Sequence, residues 1–288
     1  MAVLSFSTAL LKKINTKVME EDLFKNQSNL NRFFDTSPLL RAVGDSVINL
    51  LKKDEYVVLK TKKMTASVPI LTAFIKLFEP KLGRFIDHIE RARIHDLPSC
   101  GGENYQHLTL HNDNAVDLTN QPKYVFIQIV QEDPNGRQYA QNGVVKIKDV
   151  VTDLKASNPQ LLHQLLTKPV PMLSFGVTID SKDKSEIVVS PTILSEDEKN
   201  QITVRFDYSR IQYFFSEKGI GEVPKQILTM IECFLTVCEK HKKSYYLEKG
   251  DILIMNNLTT LHDRSESTME LNEDGSLSTR QIMVGFIV

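Results

Sequence analysis

Apolar residues recur at two distinct periods along the chain. Leu39, Leu40, Val43, Val47 and Leu50 or Leu51 follow Ser37-Pro38 at helical spacing, with Lys52 and Lys53 at the end that favours cations. Tyr56 to Lys60 then reads as a β-branched strand, Ile70 to Phe78 as a second helix, and Lys81 to Arg91 as a third. Leu97 to Gly102 breaks the pattern. Tyr124 to Val130 is a strand, Asp133-Pro134-Asn135-Gly136 a turn and Gly143 to Ile147 another strand. Asp149 to Leu166 predicts one or two helices broken at Asn158-Pro159. Short strands follow over Leu173–Ile179, Glu186–Val189 and Thr203–Tyr208. Pro224 to Lys240 carries an apolar stripe of Ile227, Met230, Ile231, Phe234, Leu235 and Cys238. Ile252 to Met255, a turn at Asn256-Asn257, and Arg280 to Val288 close the chain. Met1 to Leu11 predicts a helix or a strand. The expected class is α+β: one β-sandwich or barrel with helices set among short strands, a single domain over 1–288, with a helical N-terminal region at 1–55 and the β core at 56–288.

Composition narrows the partners. With 288 residues, 41% hydrophobic, 25% charged and a net charge of -1, the chain has the make-up of a globular protein with an ample core and no electrostatic footprint for nucleic acid. No apolar run reaches bilayer length, and Lys12 and Lys13 follow rather than precede the first apolar stretch, unlike a secretory leader. Three cysteines, Cys100, Cys233 and Cys238, make no disulfide framework, so a cytoplasmic protein is expected, with Cys100 in a loop and the other two as core thiols of a helix.

The stretch Leu108-Thr109-Leu110-His111-Asn112-Asp113 reads as a strand entering a loop. Side chains alternate across a strand, so Thr109, His111 and Asp113 share a face. An imidazole and a carboxylate two residues apart can grip one metal ion, and the third ligand, His262, must be delivered by the fold. Two histidines and one carboxylate on one face form the facial triad of non-haem Fe(II) oxygenases; zinc is the rival metal. Arg280 offers a guanidinium fork to a carboxylate.

Thr109-Leu110-His111-Asn112-Asp113-Asn114-Ala115 resembles the first metal strand of the taurine dioxygenase and clavaminate synthase-like Fe(II)/2-oxoglutarate oxygenases. Gly250-Asp251-Ile252-Leu253-Ile254-Met255-Asn256-Asn257, with Leu261-His262-Asp263-Arg264, resembles that family's second signature. The resemblance spans roughly Val57 to Val288. It implies a double-stranded β-helix (jelly roll) with flanking helices, the ligands His111, Asp113 and His262, the co-substrates 2-oxoglutarate and O₂, and Arg280 on the distal carboxylate of 2-oxoglutarate. The implied reaction is hydroxylation with release of succinate and CO₂, with desaturation or ring formation as alternatives; because Asp113 is retained, halogenation is not expected. Three departures stand out. The interval from His262 to Arg280 is long, predicting a protruding hairpin over Glu266–Thr279. Asn256 replaces a common aspartate. The family's co-substrate threonine is absent, with Gln141 its expected replacement.

Other residues bear on the substrate. Arg205 and Asp207 sit two apart on an expected strand and either hold the carboxylate and amine of an amino acid or form an ordinary surface ion pair; Arg210 is a weaker candidate. Gln106 and Glu103 flank the metal strand. Arg264 is expected to brace the ligand loop by a salt bridge and Asp117 to cap a loop. His88, His95, His107, His163 and His241 have no comparable partners. The expected substrate is a small polar molecule, an amino acid or a derivative. A peptide hydroxylase and an inactive jelly-roll binding module are the alternatives.

Overall fold

A computed structural model describes residues 3–5, 38–61, 66–93, 105–119, 121–176, 185–197 and 200–288. The expectations for Cys100, Glu103, His95 and most of residues 1–37 lie outside them. In chain order the elements are β1 (Val3–Ser5), α1 (Pro38–Asp54), β2 (Tyr56–Lys60), α2 (Val68–Leu82), β3 (Phe85–Arg93), β4 (Leu108–His111), β5 (Tyr124–Gln131) and β6 (Asn142–Lys146). Next come α3 (Ile147–Ser157), α4 (Pro159–Thr167), β7 (Met172–Gly176), β8 (Ser185–Val189), β9 (Leu194–Glu196), β10 (Ile202–Val204), α5 (Tyr208–Glu217) and α6 (Lys225–His241). The last part holds β11 (Lys243–Tyr245), β12 (Ile252–Asn256), β13 (Thr260–Arg264), β14 (Met269–Leu271), β15 (Leu277–Thr279) and β16 (Gln281–Ile287).

Two sheets organise the molecule. A six-stranded sheet runs β1-β2-β12-β5-β16-β3 and a four-stranded sheet runs β11-β6-β13-β4. Helices α1 and α2 cover the outer face of the larger sheet, with Val47, Leu51, Ile70, Phe74 and Phe78 in one core with strand residues such as Val57, Phe126 and Ile254. Ser67 caps α2 through a bond from Ile70 N, and Asn158 caps α4 through a bond from Leu161 N, so the break at Asn158-Pro159 separates two helices as expected. A second core lies behind the smaller sheet, where Leu154, Leu165, Ile231, Phe234 and Leu261 meet.

Three expectations are corrected. Residues 85–91 form a strand, not a helix: Gly83, at φ 133, stops α2, and β3 pairs antiparallel with β16 from Phe85↔Ile287 to Arg93↔Gln281. The charged composition that suggests a helix suits an edge strand, where such residues discourage further pairing. The strand expected over 203–208 ends at Val204, and Asp207 caps α5 by accepting from Arg210 N. Cys238 is buried as expected, whereas Cys233 is exposed. The 1–55 region also contributes a strand, β1, parallel to β2.

Candidate metal centre and co-substrate site

The smaller sheet assembles the three metal-ligand candidates. In the antiparallel pairing of β13 with β4, His262 lies opposite His111, and directly opposed residues project to the same side. The ring centroids are 4.3 Å apart. Asp113 follows two residues after His111, with its Oδ1 3.9 Å from His111 Nε2 and its Oδ2 3.7 Å from His262 Nε2. The ligand atoms of the three residues all lie within 4.8 Å of one another.

Buried amides hold the carboxylate loop in place. Asn112 donates to Val204 O and Asn257 O and accepts from Phe206 N. Asn257 accepts from Asp113 N at 2.9 Å and donates to Asp113 O at 2.9 Å, clamping the backbone of the acid from both sides. Asn114, at φ 52, completes the turn, a conformation asparagine tolerates well. Asn256 instead supports its own turn, accepting from Leu258 N. On the histidine side, His111 Nδ1 donates to Thr109 O at 2.8 Å, which leaves Nε2 with its lone pair toward the site.

The electrostatics fit a divalent cation. Burial, followed by the nearby His111, holds the His262 pKa well below the usual histidine range, so the ring is a neutral donor. Burial also pushes the Asp113 carboxyl up, with Asp207 adding to the effect and His111 opposing it. The neutral His262 ring, the His111 Nε2 and the Asp113 carboxylate form a donor set that a +2 ion would satisfy, and the His₂-carboxylate set with one face open suits Fe(II).

A cavity of about 290 Å³ lies between the two sheets. The triad opens on it from the smaller sheet, and Ile127, Ile282, Val284 and Phe286 line it from the larger. At its edge stands Arg280, only 5% exposed, whose Nη2 donates to Asn142 Oδ1 at 2.8 Å. No carboxylate among the described residues pairs with Arg280. Burial and then the charge of Arg264 lower its pKa to about 9. An arginine buried beside a neutral amide and a second cation is a site prepared for an anion.

The remaining expectations resolve individually. Gln141 points elsewhere: its Nε2 donates to Arg137 O, and the adjacent Asn142 meets Arg280 instead. Asn142 faces Arg264 across β6 and β13, as Val144 faces His262, so the sheet register puts Asn142 on the cavity side. Gly143 takes the other side, where Asp263 Oδ1 accepts from its N–H and an added Cβ would lie 2.1 Å from that oxygen. Arg264 braces the site by donating to Gln106 O, Ser265 O and Ser267 Oγ. The side chain of Gln106 is exposed and does not line the cavity. Arg205 donates to Ala115 O and Asp117 O and so ties down the loop after Asp113. Asp207 forms a bridge with His111 through the backbone and accepts from Ser209 Oγ; the two residues are not an ion pair. Asp117 caps its loop through Thr119, as expected. The sequence alone missed Asn142, Asn257 and the cavity-lining Glu90. For Asn257 a signal existed: an asparagine pair directly after the strand that precedes His262.

Comparisons with known proteins bear on the fold and the family. Asparagine oxygenase in complex with Fe(II), 2S,3S-3-hydroxyasparagine and succinate superposes with a TM-score of 0.71 at 14% identity, over 100% of this chain and 94% of that one. The non-heme iron oxygenase OrfP in complex with Fe and alpha-ketoglutaric acid gives 0.66 at 14% identity, over 99% and 93%. OrfP with Fe, succinate and (3S)-hydroxy-L-Arg also gives 0.66 at 14% identity, over 100% and 94%. At such identities the likeness establishes the mixed α/β fold. No curated protein matches the chain in sequence. Among the described residues no helix is long and apolar enough to cross a membrane. The family model for the taurine catabolism dioxygenase TauD, TfdA family matches residues 30–282, and the chain belongs to that family.

Proposed function

We propose that this protein is an Fe(II)- and 2-oxoglutarate-dependent dioxygenase that hydroxylates an unactivated C–H bond of a free amino acid or a compound derived from one. In the overall reaction 2-oxoglutarate, O₂ and R–H become succinate, CO₂ and R–OH, with one oxygen atom of O₂ in succinate and one in the product. The observation that carries this reading is the pairing, in one cavity, of a His₂-carboxylate cluster with a buried arginine that pairs with no acid among the described residues. The two facing sheets are read as the halves of a double-stranded β-helix.

His111, Asp113 and His262 would hold the metal, which when bound supplies the redox chemistry that couples O₂ to oxidation of the co-substrate and of a C–H bond. Arg280 receives the distal carboxylate, and Asn142 fixes the orientation of its guanidinium. A charge-assisted bond of this kind contributes about 1.5–3 kcal/mol. Ile127, Ile282, Val284 and Phe286 exclude water around the reacting groups. Asn112 and Asn257 keep the carboxylate loop from relaxing when the metal is absent. The free thiols Cys233 and Cys238 suit the reducing cytoplasm.

The test is anaerobic titration of the protein with Fe(II) and 2-oxoglutarate, followed by succinate assays under air with a panel of L-amino acids. A weak visible charge-transfer band and amino-acid-dependent succinate are expected. Absence of the band in the wild-type protein sinks the oxygenase reading.

A further inference from the structure

We propose that Glu90, on edge strand β3, is the specificity residue that receives a cationic group of the substrate across the cavity from the metal. This inference rests on the oxygenase reading above.

Sheet register fixes which way Glu90 faces. Glu90 lies opposite Val284 and Ala92 opposite Ile282 in the pairing of β3 with β16. Val284 and Ile282 both line the cavity, and opposed residues in an antiparallel pair share a face, so Glu90 presents its carboxylate to the same space. Ile89, one residue earlier, turns to the opposite face: its Cδ1 and that of Ile75 are what an added Cβ on Gly285 would strike. Glu90 therefore breaks an apolar surface made by Ile127, Ile282, Val284 and Phe286.

The acid has no counter-charge of its own. No lysine or arginine among the described residues forms an ion pair with it, and only His88, two residues along the same strand, eases its charge. The surrounding protein, followed by the charge of Asp113, raises its pKa. It thus stands within electrostatic reach of the metal cluster from the opposite sheet. With a divalent metal on Asp113 and a dianionic co-substrate on Arg280, the charges of that group cancel. The Glu90 carboxylate then stands beside the space left for substrate as an acid with no ion-pair partner among the described residues, on a lining that Arg91 and Arg264 also reach. Such an acid at a partly desolvated rim favours an ammonium or guanidinium and penalises a carboxylate. Free amino acids offer such a cation.

The experiment uses full-length protein loaded anaerobically with Fe(II) and 2-oxoglutarate, titrated with the twenty proteinogenic L-amino acids, and compared with Glu90→Gln, Glu90→Asp and Glu90→Lys. Melting temperature and the charge-transfer band serve as controls, and both are expected to match wild type in the Gln variant because the residue is exposed at a sheet edge. The Gln variant should bind the preferred amino acid at least 10-fold more weakly and raise KM more than it lowers kcat. The Asp variant should recover part of the affinity, and the Lys variant should weaken binding further. Affinities indifferent to residue 90, or a wild-type protein that forms the band and binds no member of the panel, overturn the assignment of Glu90. Absence of the band in wild type overturns the oxygenase reading and this assignment with it.

Discussion

The two faces of strand β16 are built for different purposes. Arg280, Ile282, Val284 and Phe286 alternate toward the cavity, while Gly285 and its same-face neighbours Met283 and Ile287 pack under α2, so closely that an added Cβ on Gly285 would lie 2.3 Å from Ile75 Cδ1. Behind the sheet the residues are aliphatic or aromatic and close-packed. In front of it lie two buried arginines, a carboxylate raised by burial and a histidine whose Nδ1 has no hydrogen-bond partner among the described residues. The outer layer supplies folding energy through burial of apolar area, and the inner layer consumes some of it in desolvated charge. Stability and chemistry are thus separated by the thickness of one strand, and substitutions on the two faces should have separable effects.

The largest effect belongs to the ligands. His262→Ala or Asp113→Ala should abolish the anaerobic Fe(II)/2-oxoglutarate band and succinate formation, a loss beyond the roughly 10–100-fold typical of outer partners of a metal site. A band that survives both would mean that the ligands have been misidentified. On the opposite face, Phe126→Ala removes a fully buried ring packed on Phe78 and should cost about 3–5 kcal/mol of stability. Its band should persist below the lowered melting temperature; loss of the band at temperatures where the variant is folded would break the separation. Arg280→Ala should weaken 2-oxoglutarate binding by roughly 10- to 150-fold, read by titration of the band, since about 1.5–3 kcal/mol is at stake. Asn257→Ala sharpens the comparison from within the site layer. It frees the backbone of Asp113 and should lower metal affinity by about 10–100-fold in competition with a chelator.

The smallest effect is a pH dependence far from the cavity. Hydrogen bonds from Lys240 and His241 hold the Asp153 carboxyl at about 2, below its ordinary 3.8. A depressed value means that the ionised acid stabilises the fold above about pH 4, and that this contribution fades as the pH falls through 2. The melting temperature of wild type should therefore exceed that of Asp153→Asn at neutral pH and converge with it in acid. A gap that stays constant across this range would remove the clamp between α3 and α6 from the account.

The sequence was most readable where a short-range period carries the information. His111 and Asp113 stand two apart on a strand, and Ile227 to Cys238 follow a helical stripe, so both were visible without tertiary knowledge. Residues 85–91 read as helix because Glu and Arg are good helix formers, while the choice of strand is made by pairing with β16. Helix α5 was hidden because Thr203 to Tyr208 is rich in β-branched and aromatic residues, and only the Asp207 cap marks the change. The choice between Gln141 and Asn142 turns on one residue of register, which flips every side chain to the other face. That register depends on where Gly143 meets Asp263, which lies far along the chain. Glu90 was invisible for the same reason.

Between β13 and β16 the chain leaves as the hairpin β14–β15, and both feet of that excursion are fastened. Thr268 N donates to Asp133 Oδ2 at 2.7 Å on one side, and Gln131 Nε2 donates to Ser278 Oγ at 2.7 Å on the other. The outer end, Leu271 to Leu277, closes on itself through Asn272 and Ser276 and stands in solvent. The interval between the distal histidine and the anion-binding arginine is therefore slack rather than a ruler: it can lengthen or shorten across evolution without moving either anchor, and a motif defined by fixed spacing would overlook a chain like this one.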